Sequence, residues 1–124
     1  MILLRFLVIV CVFILMSAHQ STTFASSQTL KVYKNSGARQ CRAVDVPLEV
    51  VAKNLADNGI KVISSSCASD GFARTAVCES DSGLLYVYEI DRQHIQKAGE
   101  LGFAEITKLD GYRQRPCPQP GMLP

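Results

Sequence analysis

Four cysteines carry most of the chemical capacity of this 124-residue chain: Cys41, Cys67, Cys78 and Cys117. Thiols ligate metals, catalyse redox exchange or pair as disulfides, and spacing and compartment decide among these. No Cys-x-x-Cys pair is present, which argues against thioredoxin-like chemistry. A zinc site needs these side chains as thiolates, and in an exported protein they are normally oxidised. Two disulfides are therefore expected from the four, and three pairings are available. Cys67–Cys78 staples a central hairpin region by closing a short loop, and Cys41–Cys117 ties down the C-terminal tail. That pairing is favoured here. Cys41–Cys67 with Cys78–Cys117 stays open, because the expected topology brings Cys41 and Cys67 to one end of the sheet.

The compartment is read from the first 25 residues. Arg5 precedes an apolar run from Phe6 to Met16, which contains the fifth cysteine, Cys11. Thr23-Phe24-Ala25 then offers small residues three before and one before a cut after Ala25. A charged start, a short apolar stretch and a small-residue exit describe a cleaved export signal. The run is shorter than the roughly 20 apolar residues that span a bilayer. Cys11 lies within the run, after a branched Val10, and so is not placed for lipid attachment. The expected product is exported, periplasmic or secreted, with no membrane span. The 48% apolar content of the whole chain is inflated by this segment.

Other chemistry is sparse. Beyond residue 25 the single histidine is His94, and the nearest suggestions of a nucleophile are Ser80 and Ser82. A lone histidine without a motif carries no catalytic geometry. Gly-x-Ser-x-Gly, a phosphate loop and His-Glu-x-x-His are all missing. Asp70-Gly71 and Asp81-Ser82-Gly83 lack the alternating acidic ligands of a calcium loop and read as turns. No metal or cofactor is expected. Of the thirteen Lys and Arg only Arg5 falls in the export signal, leaving a net charge of about +1. That balance argues against a dedicated nucleic-acid binder, which carries a marked basic patch.

Two groups of residues are candidates for partner binding. Phe72 and Arg74 lie between Cys67 and Cys78, in a loop that a disulfide would make rigid. Tyr86 and Tyr88 lie on the strongest strand, Leu84–Ile90. Alternation places Leu84, Tyr86, Tyr88 and Ile90 on one face and Leu85, Val87 and Glu89 on the other. If helices cover the Leu85/Val87 face, the tyrosines lie open for stacking on a ligand or partner. The apolar company of Leu84 and Ile90 favours the opposite, burial under the helices.

The elements that position these residues follow from the pattern. Thr29 to Tyr33 alternates as a short strand. Asp45 is a possible N-cap and Pro47 suits a first turn, opening a helix whose Leu48, Val51, Ala52 and Leu55 share one face. Asn58-Gly59 stops it, and Ile60–Ser65 reads as a strand. Phe72–Glu79 is a candidate short strand between turns. After Leu84–Ile90, Asp91 caps a second helix with Ile95, Ala98 and Leu101 inward. Gly102 stops it, Phe103 packs back and Ala104–Leu109 is a final strand. The tail from Tyr112 is rich in Pro and Gln and is expected to be irregular, held by Cys117.

This order, βαβ(β)βαβ, predicts a small α+β, ferredoxin-like (split βαβ) sandwich over residues 26–111: one antiparallel sheet with two helices on one face. Residues 112–124 form the tail. The expected role is non-enzymatic binding of an exported or envelope protein. Alternatives are an inhibitor of an exported hydrolase acting through the Cys67–Cys78 loop, a small enzyme using His94, and a structural envelope subunit.

Overall fold

The computed structural model describes residues 1–4 and 28–124. The segment read as an export signal lies almost entirely outside the described residues.

Seven elements follow in order: β1 (Thr29–Asn35), α1 (Leu48–Asp57), β2 (Val62–Ser69), β3 (Leu84–Asp91), α2 (Ile95–Glu100), β4 (Ala104–Glu105) and β5 (Arg113–Arg115). Single 3-10 turns precede α2 (Arg92–His94) and follow β4 (Ile106–Lys108). The strands form one sheet in the order β4-β1-β3-β2-β5, and every neighbouring pair is antiparallel. Over residues 28–124 the fold is thus α+β, with two helices and two disulfides.

β3 lies at the centre because it is apolar on both faces. On one face Leu84, Tyr86, Tyr88 and Ile90 join Leu30 and Val32 of β1 in a core closed by Leu55 and Ile60 from α1 and its exit, and by Ala98 and Phe103 from α2 and its exit. On the other, Leu85 and Val87 pack with Ala68 and Ile106, flanked by Tyr33 and Leu109. The turn after β4 therefore covers a sheet face that helices leave bare.

Both helices stop in the same way. After α1, Ile60 N–H donates to Leu55 O (3.0 Å) and Gly59 N–H to Ala56 O (2.9 Å), with Gly59 at φ 79°. After α2, Phe103 N–H donates to Ala98 O (3.0 Å) and Gly102 N–H to Gly99 O (3.0 Å), with Gly102 at φ 88°. Each is a Schellman motif, in which a left-handed glycine lets the next apolar residue fold back into the core. Lys34 reinforces the second stop: its Nζ donates to Leu101 O (3.2 Å) and lies 5.2 Å from the centre of the Phe103 ring. A cation there also meets the negative end of the helix dipole.

Several expectations need correction. α1 begins at Leu48 with Pro47 as its cap residue, so Asp45 does not cap it. Asp91 does cap the second helical segment, its carboxylate accepting from Gln93 N–H (3.0 Å). Ala104–Leu109 is not one strand: two residues pair with β1, and Ile106 then turns inward as a 3-10 turn. Phe72–Glu79 forms no strand. The tail does contain one, since Arg113–Arg115 pairs with Cys67–Ser69 until Pro116, which has no N–H, follows.

The disulfide pairing is the largest correction. The bridges are Cys41–Cys78 and Cys67–Cys117, which is neither the favoured pairing nor the one left open. The sheet register explains this. Cys67 sits within β2 opposite Arg115, so the chain leaving β5 passes directly by it. Cys78 lies in a loop that folds back beside residues 38–42.

Candidate functional site

The connection between β2 and β3 is a loop of 14 residues, 70–83. Ser69 pairs with Leu84, so residues 70–83 leave and re-enter the sheet at one point. Asp70 N–H extends the ladder by one bond to Gly83 O (3.0 Å). A hydrogen-bonded clamp then shapes the loop. The Asp70 carboxylate accepts from Phe72 N–H (3.1 Å) and from both Arg74 guanidinium nitrogens (2.6 and 2.5 Å). Arg74 also donates to Phe72 O (3.3 Å). Asp81 lies 4.0 Å from Arg74, accepts from Gly83 N–H (2.8 Å) and accepts from Asn35 Nδ2 (3.1 Å).

Asp70 is buried, with 9% of its surface exposed. A planar fork on a carboxylate is the strongest common form of charge-assisted pairing. The Arg74 hydrogen bonds hold the Asp70 carboxyl below its ordinary range against the opposing effect of burial, and the same bonds push the Arg74 guanidinium up. Gly83 leaves the room for this clamp. At φ 71° it is left-handed, and a Cβ there would strike Arg74 Nη1 and come within 2.8 Å of Asp70 Oδ1.

The far side of the loop is tied to residues 38–42. Gln40 N–H donates to Ser80 O (2.9 Å), Glu79 N–H to Gln40 O (3.1 Å) and Ser82 N–H to Ala38 O (3.0 Å). Arg42 pairs with Glu79 at 3.2 Å, and Cys41–Cys78 bridges the same two segments. From this frame Phe72 projects into solvent with 68% of its surface exposed, and Val77 with 55%. The backbone N–H and C=O of Phe72 are both held by the clamp.

The four candidate partner-binding residues thus separate. Phe72 is presented outward, whereas Arg74, still partly exposed, is engaged by Asp70 as half of the clamp. Tyr86 and Tyr88 are buried, at 3% and 0% exposure, on the helix-covered face. Their hydroxyls cross the core to donate to Val46 O (2.7 Å) and Leu48 O (2.8 Å), fixing the start of α1 to β3. Burial raises both phenols above their ordinary range, and the nearby Glu49 carboxylate adds to this. Tyr88 also meets Phe103 edge-on, with ring centres 5.9 Å apart.

His94 and the two serines do not form a site. Ser82 precedes β3 and His94 follows it, and an eight-residue strand spans roughly 25 Å. Ser80 Oγ donates to Val77 O (2.6 Å), and Ser82 Oγ accepts from Leu84 N–H (3.2 Å), so both hydroxyls serve the turns. His94 Nε2 lies 3.5 Å from Gln93 Nε2. Among the described residues no group of three or more His, Cys, Asp or Glu is placed to hold a metal ion. A small cavity of about 100 Å³ lies between the start of α1, Tyr86 and Pro118–Gly121. It is bounded by apolar and proline side chains together with Glu49 and Gln119.

Asp70 and Asp81 hold the turns expected of them, accepting from Phe72 N–H and Gly83 N–H, but the sequence reading missed their pairing with Arg74. The signal for the first was the Asp70…Arg74 spacing, but in a loop that spacing implies no contact by itself. The chain matches no protein-family model, and no curated protein or solved structure resembles it closely enough to be informative.

No helix among the described residues is long and apolar enough to cross a membrane. Two disulfides fit folding in an oxidising environment.

Proposed function

We propose that the protein is an exported, non-enzymatic binding module whose contact surface is the loop 70–83, with Phe72 as its central anchor. The observation that carries this reading is the exposure of Phe72 on a backbone held from both sides by Asp70 and Arg74. An apolar side chain left in water on a rigid loop has little ordering entropy still to lose on binding. Aromatic anchors of this kind dominate the energetics of many interfaces. Val77 adds a second exposed apolar group on the same loop.

The export reading rests on the Arg5–Ala25 pattern and is supported by the two disulfides. Cleavage after Ala25 would release a protein starting at Ser26 into the periplasm or the medium. The split βαβ assignment for the first four strands is supported by their order, β4-β1-β3-β2, and their uniformly antiparallel sense. β5 is then an addition at the β2 edge. Inhibition of an exported hydrolase is the partner class that a preorganised loop fits best. The brace is the Asp70–Arg74 clamp and the Cys41–Cys78 bridge, replacing the expected Cys67–Cys78 staple.

The test compares the oxidised wild-type protein with Phe72→Asp, each immobilised and exposed to the exported fraction of the source cells, and each titrated against a panel of secreted proteases. A partner held by the wild type and lost by a variant of unchanged Tm supports the reading. A partner held equally by both overturns the role of Phe72.

A further inference from the structure

The two disulfides occupy opposite environments. Cys67 lies within β2 at 1% exposure, packed in the main core, and Cys117 is half-buried against the same core. Cys41 and Cys78 are both exposed and both lie outside the strands and helices. Their backbones are also unusual. Cys41 itself has φ 63°, and Glu79, directly after Cys78, has φ 70°. These are the only non-glycine residues at positive φ among those described. Side chains seldom adopt this conformation unless the surroundings impose it. Here the bridge and the backbone bonds between residues 38–42 and 79–82 impose it together.

We propose that Cys41–Cys78 is a thiol–disulfide exchange site for a dithiol reductant, while Cys67–Cys117 is a permanent structural bridge. Exchange needs a thiolate to approach one sulfur in line with the S–S bond, so access decides which bridge reacts. Arg42 and Glu79, which follow the two cysteines, pair with each other at 3.2 Å and so favour neither sulfur as the leaving group. The incoming thiolate attacks one of the two exposed sulfurs, for example Cys78 Sγ. The S–S bond breaks with its electron pair on Cys41 Sγ, which takes a proton from solvent. The second thiol of the reductant then attacks the mixed disulfide, freeing Cys78 as a thiol and closing the reductant as its own disulfide. Two electrons pass from reductant to protein.

Opening this bridge releases one of the ties on the loop 70–83 and leaves the sheet and its core untouched. The consequence for binding rests on the proposed role of that loop, whereas the exchange itself does not.

The experiment treats the oxidised full chain with graded dithiothreitol under native conditions at neutral pH. Timed samples are quenched with iodoacetamide and peptide-mapped, which separates Cys11 from the other four. Cys41 and Cys78 are expected to be alkylated at least about tenfold faster than Cys67 and Cys117. Simultaneous reduction of both bridges, or earlier reduction of Cys67–Cys117, overturns the proposal. A second arm uses the double variant Cys41→Ser with Cys78→Ser in hydrogen exchange. Faster exchange confined to residues 38–42 and 70–83 supports it. Failure of the variant to fold, or faster exchange throughout β1 and β3, shows the bridge to be structural and overturns the proposal. Failure of the alkylation test leaves Phe72 binding open, and failure of Phe72 binding leaves the alkylation test intact.

Discussion

The sheet with its helices and the loop 70–83 are held by different physics. In the sheet, β3 is surrounded by apolar side chains on both faces, and the covalent tie of that region, Cys67–Cys117, lies against the core. In the loop the large apolar side chains, Phe72 and Val77, point into water, and shape comes from an ion pair, turn hydrogen bonds and an exposed bridge. Burial tolerates acid, salt and reductant. The loop is more sensitive, because its ion pair depends on charge and its bridge on redox state, beside backbone bonds that depend on neither. The molecule thus joins a robust scaffold to a loop whose order can be removed separately.

The comparison is broken most strongly from the core. Tyr88→Ala removes a fully buried ring and its bond to Leu48 O, and should cost about 3–5 kcal/mol by chemical denaturation. Asp70→Asn removes the nearer charged partner of Arg74, leaving only Asp81 at 4.0 Å, and should cost about 2 kcal/mol. A loss comparable to that of Tyr88→Ala would show the loop to be part of the core. Gly83→Ala should perturb the same clamp through the Arg74 clash and the left-handed backbone, by a similar amount of about 2 kcal/mol.

Acid sharpens the contrast. The Asp70 carboxyl is held below its ordinary range in the folded protein. Its contribution is therefore fully present above the unfolded value of about 3.9 and is lost as pH falls through the lower folded value. Loop amides should lose protection in that acidic window before the sheet melts, and Asp70→Asn should abolish this step. Tyr86→Phe removes a single hydroxyl bond to Val46 O and should cost about 1 kcal/mol. Phe72→Ala should change stability by less than about 0.5 kcal/mol, since its ring contributes little to the fold, while removing partner binding.

The scaffold was legible in the sequence where local chemistry and burial agree. Leu84–Ile90 reads as a strand because it is dense in branched and aromatic residues, and Gly59 and Gly102 announce the helix stops because few other residues take that conformation. The shared face of Leu84 and Ile90 already favoured burial of Tyr86 and Tyr88, as found. Where pairing is decided at a distance, the pattern is silent. Arg113–Arg115 carries no apolar alternation and becomes a strand only because β2 offers it an edge. Four cysteines in a row of loops and strands do not reveal their partners, and here the register of β2 with β5 selects Cys67–Cys117. Arg74 was expected to face a partner because it lies in the loop between Cys67 and Cys78. The buried carboxylate four residues earlier engages it instead.

The most direct test of this two-part account is native-state hydrogen exchange of the wild type beside Asp70→Asn. Loss of protection at the amides of Asp70, Phe72, Glu79 and Ser82, with β1 and β3 unchanged, is the predicted result. Equal loss across loop and sheet would contradict it, because the clamp and the core would then be one cooperative unit.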